Sequence, residues 1–197
     1  MPSVSLNGAF LKKRQQEEAV EMRQFLTFLV GTESFAMPIG SIREIIEFGG
    51  LTEVPLMPSF LRGVINLRGS VVPVIDLSVR FGRAPTVVAK RTCVIIMELM
   101  QDDQLLLLGV MVDAVSAVLN VEADRVEPRP SFGAGVRVDF IEGMININDR
   151  FVVVLDVPRA LSVDELSSLL GMSSDGVIGG DERDERPARA HAEGREE

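Results

Sequence analysis

With 197 residues, 46% of them hydrophobic, the chain has enough apolar surface to form one domain or two small ones. A formal net charge of −9 and an isoelectric point near 4.8 disfavour non-specific capture of nucleic acid or anionic membrane, and Trp and Tyr are absent as stacking platforms. One cysteine rules out an internal disulfide and a cysteine-built zinc cluster. No run approaches the ~18 uncharged apolar residues of a membrane span and no secretion signal opens the chain, so a cytoplasmic protein without direct membrane insertion is expected.

In chain order, residues 1–23 read as a polar, flexible lead. Residues 24–30 (QFLTFLV) alternate like a half-buried strand, and Gly31-Thr32-Glu33 turns them into a second strand over 34–37. Over 39–46 the apolar positions Ile39, Ile42, Ile45 and Ile46 have helical spacing, which predicts a short helix. A Pro-studded connector, VPLMPSF, leads to a hairpin over 63–77 that turns at Arg68-Gly69, with Pro73 suggesting a sheet edge. Strands over 92–100 and 105–111 flank a polar turn, and Cys93 at their start reads as a buried small hydrophobe. Val112, Val115, Val118 and Leu119 then repeat the spacing of the isoleucines. A second connector carries an insertion near Gly133-Ala134-Gly135 before a second hairpin, and a closing helix is predicted over 158–170. Residues 173–197, which hold the lone histidine His191, are charged and read as a disordered tail.

The two hairpins are copies. Residues 60–77 (FLRGVINLRGSVVPVIDL) align without a gap to 140–157 (FIEGMININDRFVVVLDV), matching Phe60 to Phe140, Gly63 to Gly143, Asn66 to Asn146 and Asp76 to Asp156. A repeated strand–turn–strand unit among short strands and few helices predicts a mainly β protein of two intimately packed five-stranded barrels, roughly 24–90 and 91–157.

Catalytic groupings are thin. The only histidine lies in the tail, Cys93 has no base beside it, and no phosphate-binding loop is present. Asp76 and Asp156 form a repeated pair, but each ends an apolar strand ahead of a plausible helix, where an aspartate caps free N–H groups. Asp102, Asp103 and Asp113 lack the spacing of a calcium loop. Arg68-Gly69 is present in one copy alone and has two readings, a plain turn or a guanidinium offered to a partner. The Ile39, Ile42 and Ile45 stripe is likewise either core or one wall of a groove for a partner helix.

Residues 63–69, GVINLRG, followed by 72–77, VPVIDL, closely resemble the signature of CheW-type chemotaxis coupling proteins, and the resemblance runs from about residue 24 to 170. It implies SH3-like barrels with short helices and a C-terminal helix, and a non-enzymatic adaptor with no cofactor. The partners it implies are a CheA-type histidine kinase regulatory domain, the cytoplasmic tip of a methyl-accepting chemoreceptor and other CheW-like modules in rings, all in arrays at the inner membrane. By the same resemblance, Arg68, Leu26, Ile39, Ile42 and Ile45 are receptor-binding, and Glu44 and Gly63 are sensitive in kinase or receptor coupling. A CheA-type kinase or a CheV-type protein would need further domains, and the residues after Leu170 are too few for a receiver. The competing reading is a small-molecule-binding or enzymatic β-barrel protein, which needs convergent titratable groups around a pocket.

Overall fold

The computed structural model describes residues 21–101, 103–129 and 137–161. Most of the lead, the segment around Gly133-Ala134-Gly135 and the tail lie outside these residues, as does the predicted closing helix beyond Leu161. Eleven strands are formed: β1 (Met22–Val30), β2 (Glu33–Pro38), β3 (Ile42–Glu47), β4 (Leu61–Leu67), β5 (Ser70–Asp76), β6 (Cys93–Gln101), β7 (Gln104–Val112), β8 (Ala114–Glu122), β9 (Val126–Pro128), β10 (Ile141–Ile147) and β11 (Arg150–Leu155). Two short helices, α1 (Leu77–Arg80) and α2 (Val157–Leu161), follow the repeated hairpins. β1 starts at Met22, so the last residues of the predicted lead already belong to the sheet.

The helix predicted over 39–46 is instead one 3-10 turn, Ile39–Ser41, followed by strand β3. A bulge explains the misleading spacing. Ile42 pairs with Met97 but Glu44 pairs with Ile96, leaving Arg43 as the extra residue. Ile42 and Ile45 therefore share a face although they are three apart, which imitates helical periodicity. β8 repeats the device: Val115 pairs with Phe28 and Ala117 with Thr27, so Ser116 is extra and Val115 and Val118 share a face. With that conflict removed, the β-branched composition of both segments favours strands.

The strands assemble into a six-stranded sheet, β8-β1-β2-β11-β10-β9, and a five-stranded sheet, β3-β6-β7-β5-β4. Neither closes into a barrel as predicted. Among the described residues the short β9 pairs with β10 alone, and on the second sheet only an isolated Thr52–Val64 bridge continues past β4. The sequence halves also do not build one sheet each. Hairpin β1–β2 joins β8–β11 of the second half, while β6–β7 joins β3–β5 of the first. The parallel pairs β2–β11 and β5–β7 are the joints of this exchange. Turn chemistry sets each antiparallel hairpin locally, but no local signal dictates which hairpin lies beside which.

Three apolar clusters result. The largest lies between the sheets and includes Phe28, Phe35 and Met37 from one and Ile75, Ile95, Met97 and Leu108 from the other. Phe25, Ala36, Val152 and Val154 fill the opposite face of the six-stranded sheet, and Val72, Val74, Val94 and Ile96 that of the five-stranded sheet. Burial on both faces is why residues 94–97 are continuously apolar and fully enclosed. Cys93, at the start of β6, is half-buried against the central cluster and not enclosed. Pro73 lies on β5 in the sheet interior and not at an edge; the parallel ladder to β7 begins at Val74, which is how the strand accommodates a residue without an N–H.

The two repeat copies meet at Arg80 of α1. Its guanidinium lies 4.7 Å from the ring centroids of both Phe60 and Phe140, the first residues of the two copies, and Nε donates to Ala160 O at 2.8 Å. Arg80→Ala is expected to lower unfolding free energy by about 2 kcal/mol in denaturant titrations. Loss of the exposed Arg43–Glu98 pair in Arg43→Ala should change it by less than about 0.5 kcal/mol. Equal effects would show that Arg80 is an ordinary surface arginine.

Candidate functional site

The turn between β4 and β5 is where the repeat copies part over consecutive residues, Arg68-Gly69-Ser70 standing against Asn148-Asp149-Arg150. Leu67 and Ser70 close it, with Arg68 at φ 52° and Gly69 at φ 91°. In the second copy Ile147 and Arg150 close the turn, with Asn148 at φ 50° and Asp149 at φ 60°. Two positive-φ residues make both turns the two-residue type whose twist suits a hairpin. Glycine and asparagine take this backbone readily, whereas an arginine there is uncommon and mildly strained. Asn66 Oδ1 accepts a 2.8 Å hydrogen bond from the Gly69 N–H and braces the turn.

From this turn Arg68 reaches Glu44 on β3. Nη1 donates to Oε1 and Nη2 to Oε2, each at 3.0 Å, a two-bond fork. β3 and β4 are the opposite edges of the five-stranded sheet, so the pair bridges the opening left by its incomplete closure. Glu44 shares a face with its register partner Ile96, above the outer cluster. The Arg68 side chain is 73% exposed and that of Glu44 only 23%. So exposed a pair contributes about 0.5–1 kcal/mol to folding, too little for stability to explain it.

Ile42 and Ile45 lie on the other face of β3, with Ile39 in the 3-10 turn before it and Leu26 on β1 of the facing sheet. Leu26 is buried in the central cluster, Ile42 packs partly buried against it, Ile39 is half-buried in the 3-10 turn and Ile45 is 42% exposed at the rim. The structure thus brings Arg68 and Glu44 into contact and sets Ile42 and Ile45 on the opposite face of the same edge strand. Gly63 joins neither group. It lies in β4 pressed against the Thr52 backbone and the Leu51 side chain, where an added Cβ would come within 2.3 Å of Thr52 O.

The aspartates resolve as caps. Asp76 is enclosed and accepts from Ser78 N (3.0 Å), Thr86 N (2.9 Å) and Thr86 Oγ1 (2.8 Å), while Asp156 accepts from Arg159 N at 3.3 Å. Asp113 accepts from Gly31 N at 2.6 Å and ties down the β1–β2 turn. Thr86 as a partner of Asp76, and Arg80 between Phe60 and Phe140, escaped the sequence reading. Arg80 left a faint signal, since the repeat sets Ala160 opposite it. A cavity of about 530 Å³ opens over the outer cluster of the five-stranded sheet, and among the described residues Glu47 is the one titratable side chain in its lining. Among the described residues no three His, Cys, Asp or Glu side chains gather as metal ligands, and no helix is long and apolar enough to cross a membrane.

Two sheets around a shared core, presenting a braced arginine and an apolar edge, define a protein-interaction module. The CheW-like domain model matches residues 24–165. The chemotaxis protein CheW of Klebsiella aerogenes is 31% identical, over 74% of this chain and 85% of that protein. CheW of Helicobacter pylori is 32% identical over 76% and 88%, and PilI of Pseudomonas aeruginosa 26% over 75% and 79%. The crystal structure of the scaffolding protein TtCheW from Thermoanaerobacter tengcongensis superposes with a TM-score of 0.62 at 29% identity, covering 69% of this chain and 90% of that one. The chain belongs to the CheW family, and its role is that of a non-enzymatic adaptor in chemotaxis signalling.

Proposed function

We propose that this chain couples the helical cytoplasmic tip of a methyl-accepting chemoreceptor to the regulatory domain of a CheA-type histidine kinase, in arrays beneath the inner membrane. Arg68 and the rim of Ile39, Ile42 and Ile45 take the receptor, flanking the free edge of β3, with Leu26 as support from beneath. Glu44 acts by holding the Arg68 guanidinium, and Gly63 acts through the fold of the loop beside it. The kinase domain and further CheW-like modules take other surfaces of the sheets and extend the assembly into rings. The observation that carries this reading is Arg68 itself: mostly exposed, forked onto Glu44, and confined to one copy of the repeat. A strained backbone and an ordered side chain with little return in stability are what a partner contact requires.

Co-sedimentation with a receptor signalling fragment and a kinase regulatory domain from the same organism tests the reading, and binding to neither partner sinks it. Arg68→Ala is expected to weaken receptor-coupled kinase activation roughly tenfold or more. Its unfolding free energy should stay within about 1 kcal/mol of the parent. A large stability loss with coupling intact would return Arg68 to a purely structural role.

A further inference from the structure

We infer that Asn66 is a positioning residue for Arg68, an inference that rests on the receptor-facing role proposed for that arginine. Arg68 occupies left-handed backbone at φ 52°, where the second hairpin has the better-suited Asn148 at φ 50°. Something must hold the first turn in that conformation without help from its own side chain. The bond from the Gly69 N–H to Asn66 Oδ1 does so at 2.8 Å. It anchors the peptide that links Arg68 to Gly69, and any rotation of that peptide redirects the Arg68 side chain.

The direction matters because the guanidinium reaches across the sheet opening to Glu44, with both bonds at 3.0 Å. Those two bonds use one N–H from each terminal nitrogen, which leaves the Nε edge and the outer N–H groups for a partner's carbonyl or carboxylate. Asn146 holds the same place in the second copy, yet among the described residues no bond joins it to the Asp149 N–H, and Asn148 stands there in place of the arginine. The shared asparagine is therefore used as a brace in the copy that carries the arginine. Asn66 is exposed and makes no core contact, so its loss should leave folding intact.

The test is a titration of a soluble chemoreceptor-tip fragment, from the same organism, onto the full chain bound to the kinase regulatory domain. Asn66→Ala should weaken the receptor fragment about three- to tenfold with little change in melting temperature. Asn66→Asp keeps the acceptor and should restore affinity to within about twofold of the parent. Asn146→Ala should bind like the parent. Because Asn66 acts through Arg68, Asn66→Ala should add nothing on an Arg68→Ala background, whereas a general structural role would add its full effect. If Arg68→Ala weakens binding but Asn66→Ala does not, or the two effects add, the inference about Asn66 fails and the receptor reading stands. If Arg68→Ala itself binds like the parent, the receptor reading fails and takes Asn66 with it.

Discussion

Gly63→Ala is expected to lower the unfolding free energy by about 3 kcal/mol, from backbone strain and overpacking together. Gly63 has φ 149°, outside the range of ordinary residues, and a Cβ there would lie 2.3 Å from Thr52 O and 2.7 Å from Leu51 Cδ1. The obstacle is backbone and is fastened. Thr52 N donates to Val64 O at 2.9 Å and Val64 N to Thr52 O at 2.8 Å, so the loop cannot retreat without breaking that bridge. Gly143, the repeat equivalent, is crowded the same way by Glu127 O at 2.6 Å, which marks the glycine as a requirement of the fold. Urea unfolding measures the loss, and faster amide exchange at Val64 would locate it. Gly69→Ala is the control: φ is 91° but no atom lies within 4 Å of the added methyl, so about 1 kcal/mol is expected. Similar losses at both glycines would mean that the close approach to Thr52 is unimportant. A Gly63 variant that melts normally yet fails to couple would instead make this glycine a partner contact.

Asp76→Ala should be comparably severe, at about 3 kcal/mol or more. The carboxylate is fully enclosed, and its removal strands the Ser78 and Thr86 N–H groups and the Thr86 hydroxyl away from water. Because Thr86 lies well beyond α1, the same side chain that caps the helix also fixes the return of the loop toward β6. Asp156→Ala, at the matching position, loses one 3.3 Å cap bond and an exposed ion pair and should cost about 1 kcal/mol. Thermal and urea unfolding of the two variants give the comparison, and equal losses would refute the dual role of Asp76. The pair also illustrates how a repeated carboxylate can suggest acid–base chemistry when its partners are helix N–H groups.

Much of the site was visible in the residues themselves. Reading the repeat copies against each other singled out Arg68-Gly69, and the motif around it carried the family. The sequence pattern placed Ile39, Ile42 and Ile45 on one helical face. A bulge at Arg43 instead puts Ile42 and Ile45 on one face of a strand, with Ile39 in the 3-10 turn before it. Periodicity reports which residues share a face, and a bulge changes the period without changing the grouping. The bond between Arg68 and Glu44 was not visible, because it joins opposite edges of a sheet whose curl no local pattern reports.

The sequence by itself determined what near neighbours decide: strands from β-branched alternation, hairpin turns from paired positive-φ residues, helix starts from Asp76 and Asp156, and the repetition that separates shared architecture from the lone arginine. Only the tertiary structure decided which hairpin entered which sheet, that both sheets remained open, and that Arg80 joined the two copies between Phe60 and Phe140. The physical reason is the range of the forces involved. Turns and caps are set by sterics and hydrogen bonds within a few residues, whereas pairing between distant strands is chosen by the apolar area the whole chain can bury, here in one cluster between the sheets and one on each outer face.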